Sequence, residues 1–328
     1  MPSSMTHTYF SNNVYNKLNK VSKNKIKKNI EYFKLFSQGS DPFMFYNFLI
    51  GKKAKEIANI QYRMHTTKTK EFFISTINYI HNNNLKDNSI IMAYLYGYIC
   101  HYFLDLYTHP FIYYKSGIFK KNDKNTYKYN GVHQKIEYAI DLYFIKNRES
   151  INSNKFKVYR EIFNVNSFTP ELEDIIKYTI EDIYKVKNAS NIYLKSIWYM
   201  KMFFKLANYD PLGIKLRIYS LIDKFTPSNV IKLKELSFYN TYKDIDKWLN
   251  LDNNIWYLPW DRNKSNTSSF IDLYNIAMNK SIKTIEEVTS MLDNNKIDNK
   301  RLNFLFKDLS YSTGVNCNKK VIMKYFEY

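Results

Sequence analysis

Apolar residues recur at three- and four-residue spacings along most of the chain, which is the period of amphipathic α-helices. Breaks rich in Gly, Pro, Asn or Asp separate these segments, and no convincing strand pair or internal repeat is visible. The pattern therefore predicts an all-α protein. The predicted helices span residues 11–20, 25–36, 44–60, 67–83, 89–108, 132–147, 171–186, 190–207, 213–224, 229–236, 268–292 and 298–308.

One stretch, residues 89–104, contains no Lys, Arg, Asp or Glu and predicts a helix buried on most sides. A four-residue step places His101 and Asp105 on the same face of this helix. Pro110 disfavours helical geometry at the residue before it, so we expect the helix to end at His109 and to turn that side chain off the axis. Because an unpaired buried carboxylate is costly, a positive charge is expected opposite Asp105.

Two interpretations of this polar face stay open at this point. A metal ion would satisfy the carboxylate and the imidazoles together, since His and Asp are common zinc ligands. Alternatively, His101 and Asp105 hydrogen-bond within a polar seam of the core. A transmembrane helix is disfavoured, because the segment is rich in Tyr and carries two ionisable residues in its second half.

A second pair with the same spacing, His133 and Glu137, follows a polar loop at residues 118–131. The helix face that they share continues into apolar positions such as Ile140 and Phe144, which indicates that it points toward the core. The pair can bind a metal. Taken alone, however, an exposed and weakly stabilising His–Glu helical pair is the favoured interpretation.

Other metal-binding side chains occupy positions that have simpler explanations. Asp41 lies in the turn at residues 38–42, where Asp commonly caps a turn or a helix. His65 separates two predicted helices and is otherwise expected in a surface loop. His7 is near the start of the sequence, where a disordered tail is the usual expectation. His81 lies at a predicted helix end, where it favours the helix dipole, and we assign it no chemical role.

The formal charge of +19 favours anionic partners, such as phosphate esters, nucleic acid or an anionic membrane surface. The lysines are spread along the chain, so a solvated surface explains any single cluster equally well. Cys100 and Cys317 are expected to be free thiols in a reducing compartment. The first residues lack the charged start and apolar core of a secretory signal, so the sequence predicts a cytoplasmic protein, with peripheral membrane contact as an option.

In combination, these residues resemble the signature of the bacterial zinc-dependent phospholipase C family, which shares its fold and metal cluster with secreted single-strand nucleases of fungi and plants. The signature is an N-terminal His, a loop Asp, a His, His-x3-Asp with a further His, and a final His-x3-Glu or His-x3-Asp. The matching residues, in order, are His7, Asp41, His65, His101, Asp105, His109, His133 and Glu137. The resemblance covers residues 1–150, and beyond them only generic helices.

Carried over by position, the resemblance implies two or three zinc ions. The implied ligand sets are Asp41, His65, His101 and Asp105 for the first ion; His7, Asp105 and the amino terminus for the second; and His109, His133 and Glu137 for the third. Secreted members of the family begin with a Trp whose amine and carbonyl bind zinc. This chain lacks that Trp, and our hypothesis is that removal of Met1 exposes Pro2 in its place.

The function that the resemblance implies is zinc-dependent hydrolysis of a phosphodiester, with phospholipase C-type cleavage of phospholipid headgroups by metal-activated hydroxide as the leading interpretation. Asp41 would act both as a ligand and as the proton acceptor for the attacking water. Glu137, where the pattern also allows Asp, leans toward the phospholipase branch. The alternatives are a single-strand nuclease of the same fold, which the charge of +19 would suit, and a non-catalytic, metal-stabilised helical protein.

The implied fold is all-α, a multi-helix phospholipase C or single-strand nuclease-like domain over residues 1–210. A helical C-terminal region over residues 211–328 is expected to pack on it. Aromatic segments at residues 43–46 and 111–114 flank the implied ligands, where core packing is favoured over an acyl or headgroup pocket. An aromatic loop at residues 253–269 is expected to pack against the first half of the chain.

Overall fold

The computed structural model describes residues 4–49, 51–149, 151–227, 230, 232–237 and 245–327. Helices dominate it, which confirms the predicted all-α class. The α-helices are α1 (Ser4–Lys17), α2 (Lys20–Ile26), α3 (Ile30–Phe36), α4 (Gly51–Thr66), α5 (Thr69–Asn82), α6 (Ser89–Ser116), α7 (Val132–Arg148), α8 (Val158–Ile162), α9 (Pro170–Ile176), α10 (Asp182–Tyr184), α11 (Ala189–Ala207), α12 (Ile214–Asp223), α13 (Ile245–Leu249), α14 (Phe270–Asp293) and α15 (Asn299–Leu305).

Tighter or wider helical turns connect several of these helices. A π-helical turn, Lys177–Glu181, joins α9 to α10. The 3₁₀ helices are Lys27–Asn29, Asp41–Leu49, Lys124–Tyr129, Ser153–Lys155 and Leu233–Leu236. The predicted helix at residues 25–36 is therefore divided between α2 and α3, and the one at 44–60 begins as a 3₁₀ helix.

Helix α6 occupies the centre of the molecule. Its N-cap is Asn88, whose side chain accepts hydrogen bonds from the backbone N–H groups of Ile90 at 3.1 Å and Ile91 at 3.2 Å. From residue 91 to residue 105 every side chain is buried, because α1, α2, α3, α7 and α14 pack around this helix. The prediction from the uncharged stretch is confirmed. Within the described ranges, no helix has the length and apolarity needed to cross a bilayer.

The prediction that α6 ends at His109 is wrong, because the helix runs through Pro110 and stops at Ser116. Gly117 follows as the C-cap, with φ +65° and ψ −172°, a backbone conformation that only glycine adopts readily. A proline in a helix interior costs about 3 kcal/mol or more. Here the residues on both sides of it are buried, and their tertiary packing offsets that cost. As a consequence, His109 stays on the helix and extends the face of His101 and Asp105 by one turn.

The start of α1 was also misplaced, because residues 4–10 are helical and not a tail. Asp141, on α7, accepts hydrogen bonds from the backbone N–H of Met5 at 3.3 Å and of Thr6 at 2.6 Å. It also accepts one from the Thr6 hydroxyl at 2.8 Å. A carboxylate at a helix start satisfies N–H groups that have no partner within the helix and complements its dipole. This long-range contact anchors α1 on the core.

The expectation of no strand pair is wrong at one place in the described chain. Strands β1 (Trp256–Leu258) and β2 (Asp261–Asn266) form a short antiparallel hairpin within the predicted aromatic loop. Its anchor is Trp256, which is buried against Phe111 and donates a hydrogen bond from Nε1 to the Ser268 carbonyl at 3.0 Å. The expected packing of this segment on the first half is therefore confirmed at Trp256. Because β2 is mostly polar, its sequence shows no alternation of apolar and polar residues from which a strand could be predicted.

Residues beyond 210 also lie against the first half of the chain. Helix α14 packs along α6 and α1. The backbone N–H of Tyr311 donates a hydrogen bond to the carbonyl of His65 at 2.9 Å. The predicted boundary at residue 210, between the N-terminal domain and the C-terminal region, stays a prediction.

Gly97 sets the distance between α3 and α6. A Cβ placed on Gly97 would lie 2.6 Å from both the carbonyl carbon and the Cβ of Phe36, and 2.9 Å from the backbone nitrogen of Ser37. Such contacts with the backbone are too close for any side chain. The glycine therefore lets the end of α3, and the turn that follows it, lie directly on α6.

We predict that Gly97→Ala destabilises the protein, although the same change in an unconstrained helix interior would stabilise it by about 0.5–1 kcal/mol. The added methyl group forces α3 away from α6, and such overpacking typically costs about 1–3 kcal/mol. Chemical denaturation measures the free energy of unfolding. A variant as stable as the wild type, or more stable, would contradict the close approach.

Candidate metal centre

The structure brings all eight predicted site residues into one buried cluster. They come from α1, the start of the 3₁₀ helix Asp41–Leu49, α4, α6 and α7. Seven of them are buried, and His133 is partly buried. The expectations of a tail for His7 and of a surface loop for His65 are therefore wrong, since both lie on helices. The eight residues are His7, Asp41, His65, His101, Asp105, His109, His133 and Glu137.

Asp105 lies at the centre of this cluster. Its Oδ1 is 3.3 Å from Nε2 of His7. Its Oδ2 is 3.2 Å from Nε2 of His65, 3.4 Å from Nε2 of His101 and 3.7 Å from Nδ1 of His109. One fully buried carboxylate thus faces four imidazoles from three helices.

Asp41 and the α7 pair lie on two sides of this centre. Oδ1 of Asp41 is 3.5 Å from Nε2 of His65 and 4.0 Å from Nε2 of His101. On the other side, Oε1 of Glu137 is 4.0 Å from Nε2 of His109 and 2.8 Å from Nε2 of His133. The contacts are continuous from one end of the cluster to the other.

Three groups within the cluster have the composition and spacing of metal sites. In each group, one potential ligand atom per residue lies within 4.8 Å of the others. The groups are His7, His101 and Asp105; Asp41, His65 and His101; and His109, His133 and Glu137. The third group has the same residues as the third implied ligand set. The Asp41 group lacks the implied Asp105, and the His7 group contains His101 in addition to the implied Asp105.

Backbone carbonyls orient three of the imidazoles. Each of these histidines has its Nδ1 within hydrogen-bonding distance of a main-chain oxygen. The pairs are His65 with Gln61 at 3.0 Å, His101 with Ser37 at 3.2 Å and His109 with Tyr311 at 3.1 Å. A proton on Nδ1 donated to a carbonyl leaves the Nε2 lone pair free, which is the usual arrangement around a metal-binding histidine.

The turn after α3 is shaped by the ring of His101. Gly39 has φ +52°, and a Cβ at this position would lie 2.2 Å from Cδ2 of that imidazole. The hydroxyl of Tyr193, on α11, donates a hydrogen bond to the Gly39 carbonyl. Asp41 follows two residues later, so the close approach of Gly39 carries this carboxylate to the cluster.

The nitrogen and oxygen atoms of the cluster are arranged better for binding a metal ion than for hydrogen-bonding with one another. Within the described part of the chain, neither ring nitrogen of His7 nor Oδ1 of Asp105 has a hydrogen bond of acceptable geometry. Nε2 of His65 lies 3.2 Å from Nε2 of His101, although both histidines have Nδ1 at a carbonyl. Ligands about 2.0–2.1 Å from a tetrahedral zinc are separated by about 3.4 Å. The His65–His101 separation of 3.2 Å is close to this spacing.

Burial controls the charges in the cluster. It lowers the pKa of His101 well below its usual range and that of His109 to about 4, so both are neutral at pH 7. Burial also raises the pKa of Asp41, against the opposing effect of His65. For Asp105, burial is outweighed by His109, His101 and the other imidazoles, which hold its pKa well below the usual range. A buried, ionised carboxylate is stable only with positive charge close to it.

Three residues that support the cluster were missed in the sequence. The side-chain amide of Gln61, one turn before His65, donates to Oδ1 of Asp41 at 3.1 Å. Its four-residue spacing from His65 was a signal that could have been used. The contacts of Asp141 with α1 and of Tyr311 with His109 join residues far apart in sequence, which no local pattern marks. The amine of Pro2, expected to complete the His7 site, lies outside the described residues.

We predict that the metal-free protein loses stability as the pH falls from about 6.5 toward 4. In this interval His101 and His109 stay neutral in the folded state but bind protons when the chain unfolds. These two protons outweigh the one that the raised pKa of Asp41 lets the folded state bind, so the unfolded state takes up more protons. Each unit of difference in pKa corresponds to about 1.4 kcal/mol. Thermal unfolding in the presence of a chelator measures the effect. His109→Asn should flatten the dependence and His81→Asn should not; a midpoint that is constant or rises on acidification would contradict the prediction.

Comparison with known proteins identifies the family of this chain. The sequence model of the family described as zinc dependent phospholipase C matches residues 6–190, which is more than half of the chain. The match extends past residue 150, where the resemblance was expected to end. No curated protein and no solved structure matches the chain. The matched region contains all eight residues of the cluster, and the chain belongs to the zinc-dependent phospholipase C family.

Proposed function

We propose that this protein is a zinc-dependent phosphodiester hydrolase that cleaves phospholipids in the manner of a phospholipase C, releasing a phosphomonoester and an alcohol. The observation that carries the proposal is the buried cluster of five histidines and three carboxylates centred on Asp105. Membership of the family supports zinc as the metal.

The three groups of ligands would hold up to three ions. Asp105 directs Oδ1 toward His7 and Oδ2 toward His65 and His101, so it would join two of the sites. His109 would belong to the third site, with His133 and Glu137. When bound, zinc lowers the pKa of a coordinated water toward about 7 and stabilises negative charge on phosphate oxygens.

Asp41 is the proposed proton acceptor for the attacking water. Burial raises the pKa of its carboxyl group, which makes the carboxylate a better base than an exposed Asp. The Gln61 amide at 3.1 Å from Oδ1 fixes its orientation. Asp41 is therefore the carboxylate of the cluster best suited to take up a proton, whereas the low pKa of Asp105 suits a permanent ligand.

The substrate would reach the cluster from the side of His133. Its side chain is 16% exposed, whereas Glu137, on the same helix, is 4% exposed and His7 and His101 are fully buried. The ring of Tyr113 lies 4.9 Å from the imidazole of His133 and is only partly buried. An aromatic side chain at this entrance would contact the apolar part of a lipid close to its phosphate.

We predict that Asp105→Asn loses bound zinc and hydrolytic activity together. The substitution removes the negative charge of a residue that two sites share and replaces one of its ligand oxygens with an NH2 group. Because loss of an outer-shell partner alone costs about 10–100-fold in metal affinity or activity, we expect losses at the upper end of this range or beyond. Elemental analysis of the purified protein gives the zinc content, and release of phosphorylated headgroup gives the turnover.

His81→Asn is the matched control, because His81 is the one histidine of six that lies outside the cluster. This variant should keep the zinc content and turnover of the wild type. An Asp105→Asn protein with full zinc and full turnover would remove the proposal.

A comparison of substrates distinguishes the proposed activity from its alternatives. We expect the zinc-loaded protein to release phosphorylated headgroups from phosphatidylcholine vesicles at least about tenfold faster than it cleaves single-stranded DNA, because the entrance is lined by an aromatic ring. Preferential cleavage of DNA would instead indicate a nuclease. Zinc that raises the thermal midpoint without turnover of either substrate would indicate a non-catalytic protein.

A further inference from the structure

Helix α12 has the polarity opposite to that expected of a helix packed on a core. Its buried residue is an aspartate, Asp223, whereas Ile218 and Leu221 are 51% and 58% exposed. The segments on either side continue this exposure, since Leu212 is 76% and Phe225 83% exposed. An exposed cluster of this kind marks an interaction site more often than a single exposed apolar residue does.

The exposed apolar residues within the helix form one face, which we call the α12 face. At 100° per residue, positions 214, 218 and 221 lie on the same side of the helix and position 223 lies on the opposite side. Arg217 and Lys224 are exposed and flank the apolar residues on one side. The α12 face consists of Ile214, Ile218, Leu221 and Ile222, and the exposed Leu212 and Phe225 lie just before and just after the helix.

Polar contacts fix this orientation of the helix. The Asp223 carboxylate accepts hydrogen bonds from the backbone N–H of Leu233 at 2.7 Å and of Lys234 at 2.9 Å. The ammonium group of Lys215 donates to the carbonyls of Leu206 at 2.8 Å and Tyr209 at 2.7 Å. The polar side of α12 is thus attached to the body of the protein, and the apolar side is left outward.

We infer that the α12 face inserts into the surface of an anionic phospholipid bilayer. An amphipathic helix with an apolar face and basic residues beside it binds at the boundary of headgroups and acyl chains, and anionic lipids strengthen the binding. The net charge of +19 also attracts the protein to anionic lipids over a longer range. A second copy of the chain is disfavoured as occupant, because it would bring Arg217 and Lys224 toward identical charges.

This inference rests on the proposed function for its meaning, since a phospholipid hydrolase must reach its substrate in a membrane. The structure links the two. The 3₁₀ helix Leu233–Leu236, to which Asp223 is bonded, packs against α7, the helix that carries His133 and Glu137. The Asn130 side chain, just before α7, also donates to the Val230 carbonyl at 2.9 Å. The α12 face is therefore attached to the helix at the exposed side of the metal cluster.

Co-sedimentation with vesicles tests the inference, using zinc-loaded full-length protein on ice to limit hydrolysis. We expect binding to phosphatidylcholine–phosphatidylserine vesicles to be at least about tenfold tighter than to pure phosphatidylcholine vesicles. Ile218→Glu/Leu221→Glu should weaken the tighter binding by about tenfold or more, because two charges enter the apolar face. The control Ile255→Glu/Ile322→Glu changes residues that are 62% and 65% exposed elsewhere, and should bind as the wild type does.

Equal binding by the wild type and the α12 variant would overturn the inference, as would a wild type that binds neither kind of vesicle. A dimer in sedimentation velocity that the α12 variant dissociates would also overturn it, since the face would then join two copies. If the double variant fails to fold by circular dichroism, Phe225→Glu, beyond the end of α12, replaces it with the same expected loss.

Hydrolysis of a water-soluble phosphodiester by the zinc-loaded wild type is measured in parallel and tests the proposed function by itself. Absence of this hydrolysis, together with vesicle binding that depends on the α12 face, would contradict the proposed hydrolase activity and support the membrane-binding site. Normal hydrolysis with unchanged vesicle binding by the α12 variant would remove the membrane site alone.

Discussion

The structure depends on a single buried charge. Asp105 lies on the central helix with no exposure to solvent, and four imidazoles from three helices converge on it. An isolated carboxylate in such a place would be strongly unfavourable. The packing of the surrounding helices around Asp105 therefore depends on a cation close to its carboxylate. Helices α1 and α4 and the turn before Asp41 carry the groups that complete its environment.

Much of this arrangement could be predicted from spacing within single helices. The four-residue steps from His101 to Asp105 and from His133 to Glu137 were visible in the sequence, and so was the uncharged stretch that buries the first pair. The all-α class followed from the same periodicity. These features are local, because a helix fixes the relative direction of residues one turn apart.

The predictions that failed depended on contacts between distant parts of the chain. Pro110 was expected to end α6, since the burial around it could not be seen in the sequence. The start of α1 was misplaced because its N–H groups are bonded by Asp141, more than 130 residues away. The hairpin at Trp256 depends in the same way on packing against Phe111. Local propensity is a weak guide wherever such tertiary contacts decide the outcome.

Tyr311 has a consequence for the order of events during synthesis. Its N–H bonds the carbonyl of His65 and its own carbonyl faces Nδ1 of His109, although it lies well beyond the region that matches the family. A nascent chain that has not reached this residue leaves the His109 imidazole without the contact that orients it. The contacts that orient His109 are therefore complete only after Tyr311 has been synthesised, 202 residues later in the chain.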